Sequence, residues 1–225
     1  MRILRYDQAG FQDALAGFHR AAEPPRSVEQ QVRDIIAKVR AEGDDALIEL
    51  TQRFGGPRLR TNEIRVSAGA RVDAATRRAI ATAHRNVRAF ARRSLRRNWR
   101  MRNRQGATVG ERFDPFERVG IYVPGGTAPL VSTAIMTVTL AAAARVPQIA
   151  VTTPANVDGK INDALMHGLH LAGATEIYAV GGAQAIAALA FGTKTIAPVQ
   201  KIFGPGNAYV VEAKRQVFGL SLIHI

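Results

Sequence analysis

Between residues 119 and 218 one unit recurs four times: a short apolar run rich in β-formers, a turn, and an alanine-rich stretch of helical character. The units are VGIYV with PGGTAP, QIAVTTP with a loop, EIYAV with GGAQ, and KIF with GPGN. They predict strands at about 119–123, 148–153, 176–180 and 199–203, alternating with helices at about 130–145, 161–173, 183–191 and 207–218. Unbroken apolar strands need cover on both sheet faces, and a right-handed crossover is the well-populated way to join them in parallel. The expected fold class is therefore α/β: a Rossmann-like parallel sheet with helices on both faces, preceded by a mostly helical N-terminal segment.

That earlier segment reads differently. In 27–54, Ser27 is placed to cap a helix with Gln30 as its capping-box partner, and Val28, Val32, Ile35, Ile36 and Val39 mark one buried stripe. Gly43 interrupts the pattern, Asp44 can cap a second helix through Phe54, and Gly55-Gly56-Pro57 ends it. A short strand is expected at Glu63–Val66. From Arg77 to Arg104 there are eleven arginines and no carboxylate, with Ile80, Ala83, Val87, Phe90, Ala91 and Leu95 at helical spacing, which predicts one long amphipathic helix. Charge follows the same division: residues 1–118 carry 25 basic and 14 acidic side chains, and 119–225 carry 6 and 4. A basic helix invites a polyanion reading, yet aromatics are few (Phe90, Trp99) and no recognised DNA- or RNA-binding motif is present. A solvated face is the preferred reading, and nucleic acid is not the expected partner.

In a sheet of this kind all strand-to-helix turns open at one edge, where helix N-termini present N–H groups to a ligand. Three of the four turns are glycine-rich: Gly125-Gly126, Gly181-Gly182 and Gly204-Pro205-Gly206. Any one could merely satisfy a tight turn. Three at one edge describe a binding crevice in which the backbone approaches the ligand closely. Tyr122, Gln184 and Asn207 fall at the same edge, where a phenol and two amides suit hydrogen bonds to ribose, pyrophosphate and carboxamide groups. The usual dinucleotide fingerprint G-x-G-x-x-G on the first turn is absent, so residue pattern alone gives a pocket for a phosphate-containing or other anionic ligand.

Other chemistry is thin. The chain has no cysteine, which removes disulfides, thiolate metal sites and cysteine nucleophiles. His167 and His170 with Asp163 are the nearest approach to a metal spacing, but two histidines at i, i+3 need a further ligand, so no metal site is assigned. His19, His84 and His224 read as structural or solvated, and Asp158 and Asp163 as helix-capping residues. No acid–base pair stands at convincing spacing. No apolar run is long enough for a membrane span and no secretory signal opens the chain, so a cytoplasmic protein is expected.

RVGIYVPGGTAPLVST, EIYAVGGAQAIAALAFGT and KIFGPGNAYVVEAKRQVFG resemble the histidinol dehydrogenase family, and the likeness extends back through VRDIIAKVRAEGDDALIELTQRF. The resemblance implies an NAD-dependent, zinc-dependent oxidation of L-histidinol to L-histidine through the aldehyde, by a homodimer. It implies that Tyr122, Gln184 and Asn207 contact NAD, supported by the turns at Gly125, Gly126, Gly181, Gly182, Gly204 and Gly206. The family's zinc ligands, acid–base residues and most substrate contacts lie beyond its GPGN helix. No catalytic or metal residue is therefore assigned here, and the chain is expected to be inactive alone. The expected divisions are 1–118, the N-terminal helical part of an incomplete first domain; 119–219, a Rossmann-like NAD-binding domain; and 220–225, LSLIHI, a tail unlike the family's continuation, as in a truncated reading frame. Leu140 and Arg145 stand where many members of that family carry proline and glycine, which leaves open a related branch acting on another alcohol. A stand-alone nucleotide- or polyanion-binding module is the alternative from a different class.

Overall fold

The computed structural model describes residues 4–20, 26–67, 69–125 and 129–219. The four expected strands are β3 (Arg118–Tyr122), β4 (Gln148–Thr152), β5 (Glu176–Tyr178) and β6 (Lys201–Phe203), all parallel in the order β5-β4-β3-β6. The chain winds outward through β3, β4 and β5, then returns to set β6 on the free side of β3. Their helices are α6 (Val131–Ala143), α7 (Asp163–Ala172), α8 (Gly182–Phe191) and α9 (Ala208–Gln216).

Strand alternation decides which side chains each helix pair covers. Val119, Ile121, Ile149, Val151 and Ile177 join the core that includes α6 and α7, whereas Tyr122, Ala150 and Tyr178 join the core of α8 and α9. Register enforces this, with Ile121 opposite Val151 and Val151 opposite Ile177. Gly120 is small because a Cβ there would lie 2.9 Å from Leu189 and 3.0 Å from Val199. α8 is apolar apart from Gln184, and Ala183 through Leu189 are buried, because the N-terminal segment covers its outer side.

That segment supplies α1 (Phe11–Arg20), α2 (Arg26–Glu42), α3 (Asp44–Arg53), α4 (Thr61–Ile64) and α5 (Ala74–Ser94). α2 packs on α8 and α9, α3 on α8, and α5 on α6 and α7. The buried stripe of Val28, Val32, Ile35, Ile36 and Val39 is therefore continuous with the core under the sheet.

Several local expectations give way to tertiary structure. α2 already begins at Arg26, so Ser27 lies inside its first turn, and Gln30 bonds forward to Asp34 (2.8 Å) rather than back to a cap. Gly43, not Asp44, is the N-cap of α3; Asp44 is buried and its carboxylate accepts from the Thr195 hydroxyl (2.6 Å), a long-range partner that local capping does not offer. Glu63–Val66 is not a strand. Thr61–Ile64 form a helical turn, and then the backbone pairs antiparallel with the edge of β5, Val66 N–H donating to Ile177 O (2.8 Å) and Ala179 N–H to Ile64 O (2.8 Å).

The long arginine-rich helix is the largest correction. It ends at Ser94, and the chain continues into an antiparallel hairpin of β1 (Trp99–Arg102) and β2 (Thr108–Glu111). Ile80 and Ala91 of α5 are buried, whereas Phe90 and Leu95, the latter already its C-cap, are exposed. Beyond it Trp99-Arg100-Met101-Arg102 alternates with period two, and Trp99 Nε1 donates to Glu111 Oε2 across the pair (2.7 Å). Arg145, just past α6, holds φ +65°, a left-handed backbone that favours glycine.

The bottom of the sheet is fastened by a polar clamp. Arg118 donates to Gln148 Oε1 (2.9 Å) and to both oxygens of Glu176 (3.0 and 2.5 Å), and the Tyr178 hydroxyl donates to Glu176 Oε2 (2.5 Å). The Arg118 guanidinium holds the Glu176 carboxyl down to about 2, against the opposing effect of burial. Burial first, and then the Glu176 carboxylate, push Tyr178 up to about 12.

Candidate functional site

At the opposite, C-terminal edge of the strands lies a cleft of about 1130 Å³, slightly above the ~300–1,000 Å³ typical of small-molecule sites. Tyr122, Gly125, Gly181, Gly182, Gln184 and Asn207 all line it. These residues come from the turns after β3, β5 and β6, so the strand order gathers positions spread over 86 residues of sequence (122 to 207) onto one rim. Gly126 lies outside the described residues.

The glycines answer to close packing at the rim. A Cβ on Gly125 or Gly181 would meet the Pro154 ring at 2.3 or 2.6 Å. One on Gly204, which holds φ +111°, would fall 2.0 Å from the Tyr122 carbonyl oxygen. Gly204 and Gly206 do not line the cleft. Gly204 instead lets the turn after β6 lie against the β3 backbone, and its carbonyl accepts from the Lys214 ammonium, whose pKa burial lowers.

Tyr122 is 4% exposed, and its hydroxyl accepts from Gly182 N–H at the start of α8 (3.2 Å). Burial raises its pKa above the ordinary value and the Gly182 N–H partly offsets this, so the phenol stays protonated and retains a hydrogen to donate. Gln184 is 3% exposed, and its carboxamide oxygen is buried without a hydrogen-bond partner among the described residues. An orphaned acceptor of this kind costs about 1–3 kcal/mol unless something supplies a donor. Asn207 caps α9, its Oδ1 accepting from Val210 N–H (3.1 Å), and its amide nitrogen has no partner among the described residues.

Two walls were not legible in the sequence pattern. Thr51, Phe54, Gly55 and Gly56, at the end of α3, close the cleft from the helical segment, and the Thr51 hydroxyl is buried without a partner among the described residues. The Gly55-Gly56-Pro57 turn was a visible signal, but it reads equally as a helix stop. The other wall is the loop from Thr153 to Asp163, where the Thr153 hydroxyl is likewise buried and unpartnered. Lys160, the lone Lys or Arg between Arg145 and Lys194, was its signal.

The remaining candidates are not brought to the cleft as a reactive set. His167 Nε2 is buried without a partner and His170 is exposed on the same helix, while Asp163 opens α7, whose cap is Asn162. Asp158 caps no helix; its N–H donates to Asn156 Oδ1 (3.1 Å). Among the described residues no group of three or more His, Cys, Asp or Glu could hold a metal ion. His84, on α5, has its pKa lowered by burial and then by Arg88. No helix among the described residues is long and apolar enough to cross a membrane.

The histidinol dehydrogenase family model matches residues 18–225. The chain belongs to the histidinol dehydrogenase family. It is 48% identical over 192 residues to histidinol dehydrogenase from Geobacillus kaustophilus, covering 84% of this chain and 45% of that protein. It is 40% identical over 226 residues to the enzyme from Syntrophotalea carbinolica, covering 97% and 52%. Among solved structures, histidinol dehydrogenase from Elizabethkingia anophelis superposes with a TM-score of 0.76 at 32% identity, over 87% of this chain and 46% of that one. The chain thus spans about half the length of the relatives it matches. The histidinol dehydrogenase likeness includes the helical segment as well as the sheet, so both walls of the cleft fall within it.

Proposed function

We propose that the cleft is the NAD site of a histidinol dehydrogenase, an oxidoreductase of histidine biosynthesis, and that Tyr122, Gln184 and Asn207 are its coenzyme contacts. The observation that carries this is the Gln184 carboxamide oxygen, buried and unpartnered beside rim glycines whose Cβ would collide with Pro154. A ligand carrying carboxamide N–H or ribose hydroxyl groups supplies the donor that oxygen lacks. Bound there, NAD is the hydride acceptor for the two-step oxidation of L-histidinol through the aldehyde. The chain's own part is to bind and orient: Tyr122 donates from a protonated phenol, Asn207 donates its amide, and the bare turns admit the coenzyme close to the backbone.

The described residues do not fit a zinc site, and no proton-transfer pair lines the cleft, so no step through either is assigned to this chain. Homodimerisation, cytoplasmic location and the choice of L-histidinol rest on the family membership. A related alcohol is the second reading, left open by Leu140 and Arg145 standing where many family members carry proline and glycine.

Calorimetric titration of the 225-residue chain with NAD tests the proposal. Gln184→Met, which keeps the volume and removes the orphaned oxygen, is expected to weaken NAD about tenfold while leaving the unliganded chain as stable or ~1 kcal/mol more so. The unaltered chain is expected to turn over no histidinol. Equal NAD affinity in the two chains overturns the role of Gln184, and steady NADH formation from histidinol overturns the expected inactivity.

A further inference from the structure

A pyrophosphate at a Rossmann-type rim is ordinarily met by free N–H groups at a helix N-terminus. Here part of that capacity is committed, although α6 and α8 carry no side-chain cap. The Gly182 N–H of α8 donates to the Tyr122 hydroxyl. In α7, the Ala164 and Leu165 N–H groups donate to Asn162 Oδ1 (2.9 and 3.2 Å), and in α9 Val210 N–H donates to Asn207 Oδ1. The cleft's own charge adds to what the remaining N–H groups offer. Among the described residues lining it, Lys160 is the cation and Asp163 the carboxylate. Without Lys160 the cleft would present a bound dianion with net repulsion.

Lys160 is also held ready. Asn156 Oδ1 accepts from the Lys160 N–H (2.8 Å), and the Asn156 N–H donates to the Lys160 carbonyl (2.9 Å), so the loop is braced on both sides of this residue. Its ammonium forms no ion pair among the described residues, whereas Lys38 bridges Glu42 and Glu49 and Lys214 is bonded to Gly204. A braced, unspent cation at the mouth of a nearly uncharged cleft is what a phosphate group needs for a charge-assisted hydrogen bond.

We infer that Lys160 is the countercharge for the pyrophosphate of the bound coenzyme, an assignment that rests on the nucleotide-binding reading of the cleft. Asp163 opposes it and limits the affinity. The side chain is exposed and the loop's bonds are made by its backbone and by Asn156, so substitution leaves the fold intact.

Titrations of the full 225-residue chain with NAD and with adenosine, which lacks phosphate, separate charge recognition from general binding. Lys160→Ala is expected to weaken NAD about tenfold with little change for adenosine, and Asp163→Asn to tighten NAD about two- to threefold. The NAD affinity of the unaltered chain should fall with added salt, and that fall should be shallower in Lys160→Ala. An unchanged NAD affinity in Lys160→Ala, or equal losses for NAD and adenosine, overturns the Lys160 assignment and leaves the coenzyme site standing. Failure of the unaltered chain to bind NAD overturns both.

Discussion

One glycine and one ion pair within residues 118–219 contrast with one glycine and one ion pair in the segment before them. In the sheet half, Gly204 sits where the Tyr122 backbone needs the space, and the ion pair of Arg118 with Glu176 ties strands together. In the earlier half, Gly106 closes a hairpin with nothing within 4 Å of its would-be Cβ, and pairs such as Arg112 with Asp114 lie in solvent. A glycine or an ion pair therefore carries long-range information at one position and only local information at another.

The sharpest way to break this contrast is one substitution made twice. Gly204→Ala drives a methyl group into the Tyr122 backbone from a positive-φ position and is expected to cost ~4 kcal/mol or more. Gly106→Ala, at φ +85° in open space, is expected to cost only ~1 kcal/mol. Urea midpoints of the two variants measure the difference, and similar losses would remove the distinction between the two positions.

Charge gives the next largest effect. Glu176 titrates at about 2 in the folded chain against an ordinary 4.5, so its stabilisation is complete above the ordinary value and is lost as pH falls toward 2. The contribution is on the order of 3 kcal/mol. Glu176→Gln is expected to flatten that acid limb and, by stranding the buried Arg118, to cost about 3 kcal/mol at neutral pH. Asp114→Asn, in the exposed pair, should cost under ~0.5 kcal/mol. Denaturation followed from pH 7 to pH 2 checks both.

The smallest effect sharpens the comparison at a position without a glycine. Arg145 is an arginine in the sheet half at a backbone position that suits glycine. Arg145→Gly is expected to stabilise the chain by ~0.5–1 kcal/mol, relief of left-handed strain outweighing the added freedom of the unfolded chain. A thermal melt that moves downward would show that the Arg145 side chain holds the turn by contacts of its own.

The βα alternation was readable because each signal is local and redundant: an apolar run, a breaker and an alanine-rich helix, repeated four times. Its strands and helices fall within a few residues of their expected bounds. Tyr122, Gln184 and Asn207 were legible as neighbours for a related reason, since parallel winding sends every such turn to the same edge. The arginine-rich segment was carried too far because its last helically spaced apolar residue, Leu95, already caps α5, and only polar and strand-like residues follow. Phe90 and Leu95 match the period yet face solvent, and the hairpin at Trp99 takes over. Asp44 failed because a carboxylate near a helix start predicts a cap, whereas Thr195, 151 residues away, offers a stronger partner.

Residue order by itself determined the parallel sheet, its two covered faces and the rim on which the glycine turns meet, because those follow from strand period and the handedness of crossovers. Tertiary structure alone decided that the end of α3 closes the cleft, that Gln184 is left with an unpartnered oxygen, and that Lys160 stands as its cation. Each of these depends on which surfaces meet across long sequence separations, and no local pattern of residues encodes that.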